Sequence, residues 1–318
     1  MPPPRPDAVV KLRTPRRTFT LALEVKRTYL DQVLTNAIIA EHRAMLERHR
    51  LPLLLAARYI PPPTGERLAE AGVNFVDRPG NVHLALGDDH HVLLLGRREP
   101  AREPTARRVG PALVQLLFAL LAEPAAAAWP IRPLAEAAGI GKTAAATGRE
   151  RLVRLGILAG GRRRPCRVVD HDRLVDEFLG GYANVLRPHL LIGRFRTTER
   201  DPDRLIRGVA AAAERAEVPV ALTGSAGAYA LDRFYRGEEI TLLVGAFTPA
   251  LQRSLRLVPD REGPVTLLRA FGTRWAWRAT GGVTVAHPWL IYAELLCQGD
   301  PRGLEAAEQM RHNYLTGV

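Results

Sequence analysis

The side chains best suited to chemistry lie between Lys142 and Arg164. Thr143, Thr147 and Arg151 recur at intervals of four, with Arg154 beside them, so on a helix they form one stripe. Hydroxyl and guanidinium groups at that spacing can reach base edges and phosphates, and Lys142 adds a cation where the stripe begins. Ala145, Leu152 and Leu155 fall on the opposite side and face inward. Arg162, Arg163 and Arg164 follow a Gly-Gly pair, and a basic run at a loop tip grips phosphate without reading sequence.

Certain elements must position these groups. Pro111–Ala122 is an apolar helix, and Trp129–Ile131 reads as a short extended piece. A helix then runs to a tight turn at Gly139-Ile140-Gly141, and the striped helix follows. Leu158–Val169 has strand–turn–strand character with the three arginines at its tip. Helix, helix, turn, helix, hairpin is the order of a winged helix-turn-helix, which lays its last helix in the major groove of duplex DNA. The segment Gly139–Thr143 reads GIGKT, but a phosphate-binding loop would need glycine where Glu136 stands and a strand where the chain is helical. Those glycines therefore serve the turn.

The whole-chain numbers agree with a polyanionic partner. The 318 residues carry 45 Lys+Arg against 33 Asp+Glu, a net charge of +12. Only Lys11, Lys26 and Lys142 are lysines, so a bias toward Arg codons accounts for part of the excess. The two cysteines, Cys166 and Cys297, lie far apart and form neither a disulfide framework nor a C-x-x-C zinc pattern, which suits a reducing cytoplasm. No run of 18 apolar residues is present, and the N-terminus lacks the apolar stretch of a signal peptide. No membrane association is expected.

Periodicity divides the chain into an α/β domain at 1–96, a linker at 97–108, the winged module at 109–170 and a C-terminal α/β domain at 171–318. In the first, Thr18–Lys26 alternates like a strand, Thr28–His49 is an amphipathic helix, and Leu51–Ile60, Val73–Leu86 and His91–Gly96 read as strands around a short helix at Gly65–Gly72. That order implies some parallel pairing. Asp88, Asp89, His90 and His91 lie at a polar hairpin tip, since adjacent histidines on a strand face opposite ways and do not share an ion. The linker is Arg, Glu and Pro without periodicity. A helix over His171–Leu190, broken near Gly180-Gly181, leads into the last domain. There, helices at Asp203–Glu217 and Ser225–Tyr235 alternate with strands at Pro219–Gly224 and Glu239–Gly245. Strands at Val265–Ala270 and Trp275–Ala279 and two final helices, with Leu290, Glu294, Leu296, Leu304 and Met310 facing the core, complete it.

Three resemblances sharpen this reading. Pro6-Asp7 followed by Glu24-Val25-Lys26 resembles the PD-(D/E)xK nuclease superfamily and implies a restriction-endonuclease-like α/β core. The resemblance implies that Asp7 and Glu24 would hold Mg²⁺ while Lys26 polarises the attacking water. The spacing fits, because Glu24 and Lys26 share one face of a strand. The helix that usually precedes this core is not found before Asp7. Leu222–Val244 is similar to the nucleotidyltransferase fold, but its metal slots hold Glu239 and Thr241, so the C-terminal domain reads as a degenerate, non-catalytic version. Taken in order, Leu53–Leu86, the winged module, Leu186–Arg196 and Trp289–Glu308 resemble the AbiEi-type antitoxin and transcriptional-regulator family of type IV toxin–antitoxin systems. The Asp77-x-x-Gly80-Asn81 turn is its best single signature.

The resemblance implies transcriptional regulation, with autorepression as the expected form. A sequence-specific DNA-binding regulator without a cofactor is expected, with duplex DNA, a cognate toxin and a second copy of the chain as partners. The rival is an Mg²⁺-dependent nuclease targeted by its winged helix. A third reading is an interaction protein that neutralises a partner through its last domain.

Overall fold

A computed structural model of the chain describes residues 6–14, 17–26, 30–87, 90–98, 109–161, 164–199, 201–280 and 282–315. The chain forms two compact units, residues 1–108 and 109–316. Nearly all of the linker read at 97–108, and Arg162 and Arg163, lie outside the described residues.

The first unit runs β1 (Ala8–Arg13), β2 (Thr18–Lys26), α1 (Gln32–His49), β3 (Leu53–Ala57), α2 (Pro62–Glu70), β4 (Asn74–Asp77), β5 (Val82–Leu86) and β6 (His90–Leu94). Its six strands pair in sequence order; β2, β3 and β4 are parallel and the remaining pairs antiparallel. Successive right-handed crossovers in one direction place both helices on one face of the sheet. Ala22, Leu53, Leu55 and Phe75 are buried and share that face by register. The other face carries a smaller core of Leu21, Leu54 and Leu86, with Val10, Leu12, Phe19, Leu23 and Leu84 packed against it. Phe19 on β2 lies 5.5 Å from the ring of His90 on β6 although three strands separate them, so the twisted sheet curls over this core.

The turn between β4 and β5 is organised by one carboxylate. Asp77 accepts from the backbone N–H of Gly80 (2.9 Å), Asn81 (2.7 Å) and Ile60 (2.8 Å) and from the Asn81 amide (2.7 Å). Asn81 in turn exchanges two hydrogen bonds with the backbone of Arg97. Gly80 sits at φ 99°, a region that favours glycine.

The second unit begins with α3 (Pro111–Ala122), α4 (Ile131–Ala138), α5 (Lys142–Arg154) and a hairpin, β7 (Leu158–Gly161) and β8 (Arg164–Val168). The extended piece expected at Trp129–Ile131 is confined to Trp129 and Pro130, whose backbone is extended but joins no sheet, and α4 begins at Ile131. A 3₁₀ turn at Pro124–Ala128 leads to Pro130, which caps α4, and among the described residues the hairpin sheet has two strands. Prolines at both ends of that stretch remove ladder donors, and four alanines favour a compact turn.

Next come α6 (His171–Gly181), α7 (Arg187–Leu190), β9 (Leu191–Thr197), α8 (Pro202–Ala216), β10 (Val220–Thr223), α9 (Gly224–Asp232), β11 (Ile240–Val244), α10 (Pro249–Ser254), β12 (Leu257–Pro259), β13 (Val265–Arg269), β14 (Ala276–Thr280), β15 (Val283–Ala286), α11 (Pro288–Gln298) and α12 (Pro301–Met310). The sheet order is β12-β9-β13-β11-β10-β15-β14, mixed in direction. The α-helix ends at Gly181, where the break is expected, but the chain stays on a helical path: Gly181 is helical (φ −66°, ψ −39°), and a π turn at Tyr182–Leu186 leads into α7. A Cβ on Gly181 would lie 2.7 Å from Val114, so this glycine allows α3 and α6 to approach.

Glu294 on α11, counted among core-facing positions in the sequence, is fully buried as an acid. It accepts from Tyr182 Oη at 2.7 Å and from Arg187 at 2.8 Å (Nε) and 3.2 Å (Nη2), joining the α6–α7 segment to α11. Burial and the Glu294 charge push the Tyr182 hydroxyl well above its ordinary range, so it stays a donor. Removing one partner of a buried pair strands the other. Glu294→Ala should therefore cost about 3 kcal/mol in urea unfolding, and Glu294→Gln distinctly less because it keeps a hydrogen-bonding side chain. Equal losses would show that only packing volume matters there.

Candidate nucleic-acid interface

The shape of α5 follows from its two ends and one interior glycine. Gly139 closes α4 at φ 69°, with Ile140 N–H bonded to Ala135 O and Gly139 N–H to Glu136 O. Gly156 repeats the arrangement beyond α5, at φ 74°, with Ile157 N–H on Leu152 O and Gly156 N–H on Val153 O. Arg173 donates to the carbonyl of Leu155, placing a cation at the negative end of α5. Gly148 lies inside the helix, where glycine costs about 1 kcal/mol relative to alanine. A Cβ there would meet Leu116 at 2.6 Å, so the glycine admits α3.

With Ala145, Gly148 and Leu152 buried, the side open to solvent carries Lys142, Thr143, Thr147, Glu150 and Arg154. Thr143, Thr147, Glu150 and Arg154 stand at i, i+4, i+7 and i+11. Arg151, expected on this stripe, is displaced to its flank and is half-buried. The charge of Arg151 acts on Glu177 of α6, whose carboxyl is raised by burial and lowered by Arg173 and Arg151. Glu150 shares the exposed face because 3.6 residues per turn rotates a strict i+4 row off it. On the other flank, Arg149 donates to Trp129 O at 2.9 Å.

In the hairpin, Leu158 pairs with Val168 and Ala159 with Arg167, and an irregularity precedes the Gly161–Arg164 pair. Gly160 has φ 128°, and a Cβ on it would lie 2.4 Å from Pro165 O. Arg164 is exposed at the hairpin end, and Arg167, unremarked in the sequence, is exposed beside it.

The helix–turn–helix is seated on the C-terminal sheet. A Cβ on Gly139 would lie 2.4 Å from Gly272 N, and one on Gly272 would lie 2.2 Å from Ala137 O. Both glycines have positive φ, and Thr273 N–H donates to Ala137 O at 3.1 Å. Phe271 meets Phe118 of α3 edge-on at 5.2 Å. Arg274 pairs with Glu123 at 3.6 Å and lies over the Trp129 ring.

In the first unit, Glu24 and Lys26 form an ion pair of 2.9 Å, both nearly buried on the helix-covered face of β2. Asp7 is exposed and accepts from Val25 N–H at 2.7 Å. Among the described residues no group of three or more His, Cys, Asp or Glu could hold a metal ion. Burial, then the charge of Glu41, raises the Glu24 carboxyl from 4.5 to about 7, against the lowering effect of Lys26. In the C-terminal domain Glu239 pairs with Arg194, and Thr241 is buried in β11.

Two predictions follow from these contacts. Gly272→Ala should lower the melting temperature of the second unit, at a cost of about 2 kcal/mol or more, because both the positive φ and the facing backbone reject a methyl group. Gly208→Ala, on α8 with open space around it, should instead stabilise by about 0.5–1 kcal/mol. A harmless Gly272→Ala would contradict the seating. The second concerns pH. With its folded pKa raised, Glu24 holds a proton more tightly folded than unfolded, so its contribution to stability falls as pH rises from 4.5 to 7. His42 acts oppositely: burial lowers it to about 4, its Nδ1 accepts from Leu53 N–H, and stability rises from pH 4 to 6.5. Relative to the wild type, Glu24→Gln should gain about 2 kcal/mol of unfolding free energy between pH 5 and 7. Parallel pH profiles would refute the raised carboxyl.

No curated protein and no solved structure matches the chain. Residues 167–316, from the second hairpin strand to the C-terminal helices, match the family model described as transcriptional regulator, AbiEi antitoxin, type IV TA system, the family that the sequence resembles.

Proposed function

We propose that the chain is a sequence-specific DNA-binding transcriptional regulator of the antitoxin type, acting in the cytoplasm without a cofactor. Residues 109–170 act as a winged helix-turn-helix: α5 enters a major groove and the hairpin tip grips phosphate. The observation that carries this reading is the solvent face of α5, which is wholly polar over Lys142, Thr143, Thr147, Glu150 and Arg154 and is backed by small buried residues. Thr147 and Arg154 read base edges, and a carboxylate such as Glu150 suits the amino group of cytosine. Arg162, Arg163 and Arg164 supply sequence-independent phosphate contacts, and Arg151 steadies α5 against α6 while lying near the backbone. The family matched by residues 167–316 supports a regulator of toxin–antitoxin type, with a toxin protein as the partner of the C-terminal domain.

The Mg²⁺-nuclease reading assigns catalysis to Asp7, Glu24 and Lys26. The buried Glu24–Lys26 pair favours it; the engagement of Asp7 with the Val25 amide weighs against it.

One experiment separates the two. Labelled duplex from upstream of the gene is incubated with the protein, with and without Mg²⁺, and run on native and denaturing gels beside a scrambled duplex. A shift confined to the upstream duplex, with intact strands, is expected. Thr147→Ala with Arg154→Ala should weaken specific binding about 10- to 100-fold and random binding much less. Replacing Arg162–Arg164 by alanine should flatten the dependence of log K on log salt by about 2–3. Equal losses on both duplexes would exclude α5 as the reader, and Mg²⁺-dependent cutting abolished by Lys26→Ala would make the chain a nuclease.

A further inference from the structure

Among the described residues, no strand pairs with β6 beyond β5, so it ends the first sheet with an open edge. Val92, Leu93 and Leu94 are 51%, 52% and 44% exposed. Because neighbours on a strand alternate, apolar side chains stand in solvent on both faces of this edge. By register, Leu94 is level with Val82, Val76, Ala56 and Val25, an apolar row across five strands on the face away from α1 and α2. Val25 and Val76 in that row are also exposed.

Proteins ordinarily block such an edge with charge, proline or a bulge. The opposite edge, β1, is blocked by Lys11 and Arg13. Between Val82 and Leu95 there is no Lys, Arg or Pro, in a chain where 45 of 318 residues are basic. At a net charge of +12, two copies repel each other, and this is a surface that brings no cation against its own image.

We propose that β6 pairs antiparallel with β6 of a second copy, about a two-fold axis at Val92. Val92 then faces Val92, His91 faces Leu93, and His90 faces Leu94. The outward N–H and C=O groups of both edges are satisfied, and the apolar row of each sheet continues into the other. The contact is isologous and consumes the open edge, so it closes at two copies. A five-residue strand contact falls well short of the ~800 Å² per partner of a durable interface, so the dimer dissociates on dilution. The proposal stands independently of the DNA-binding reading; on DNA, two neighbouring half-sites would hold the pair together.

The test is sedimentation of the full chain without DNA, from about 1 to 200 µM, a range that brackets weak association. The wild-type mass should rise from 35.0 kDa toward twice that value. Val92→Lys and Val92→Glu should each remain monomeric throughout, since like charges directly opposite on paired strands repel. An equimolar mixture of the two should recover the dimer, because the axis sets position 92 against itself. Position 92 is exposed, and an unchanged circular-dichroism melt of each variant certifies its fold. A wild type that stays monomeric, variants that dimerise alone, or a mixture that does not recover would each overturn the proposal.

Discussion

Where the α4–α5 turn meets the loop after β13, two backbones touch with no room for a side chain. Gly139 and Gly272 face each other there, each in a conformation that side chains resist, and Thr273 adds a hydrogen bond to Ala137. The orientation of α5 depends on this contact. A rotation of the helix–turn–helix relative to the C-terminal sheet would open the seam and unstack Phe271 from Phe118. The surface proposed to read DNA and the region matched to the antitoxin family are thus parts of one packed body.

The same principle recurs around α3. Seven of its residues are buried, so it is a central rather than a surface helix. Gly148 admits it to α5 and Gly181 admits it to α6. Each glycine costs helix propensity, and each is offset by the area buried when the axes approach. Glu294 then fixes the continuation of α6 to α11 by a buried ion pair. Such a pair adds little net stability against an apolar alternative; its effect is to make other arrangements costly.

The first unit is held differently. Its parallel strands β2, β3 and β4 need two crossovers, and both place their helices on one face, leaving the curl of the sheet to close part of the other. Asp77 and Asn81 tie the turn after β4 to Ile60 and Arg97, which fixes where the β5–β6 hairpin leaves the sheet. What the curl does not cover is the apolar row ending at β6.

Periodicity and turn chemistry are local properties, and they determined most of the elements. β2 and α3 have the bounds read from the sequence, the Gly139–Gly141 turn lies between two helices, and the Asp77–Asn81 turn is hydrogen-bonded as its residues imply. Tertiary structure decided whatever depends on a distant neighbour. Gly181 reads as a break in a helix, and only the fold shows that it also makes room for Val114 of α3. Arg151 reads as part of the outer stripe of its helix until the fold places it, half-buried, on the flank, where its charge acts on Glu177 of α6. Glu294 reads as one position in a core-facing stripe until Arg187 and Tyr182, more than a hundred residues earlier, are found beside it. No local pattern encodes such pairings, because the chain entropy spent in bringing distant segments together is repaid only by the assembled core.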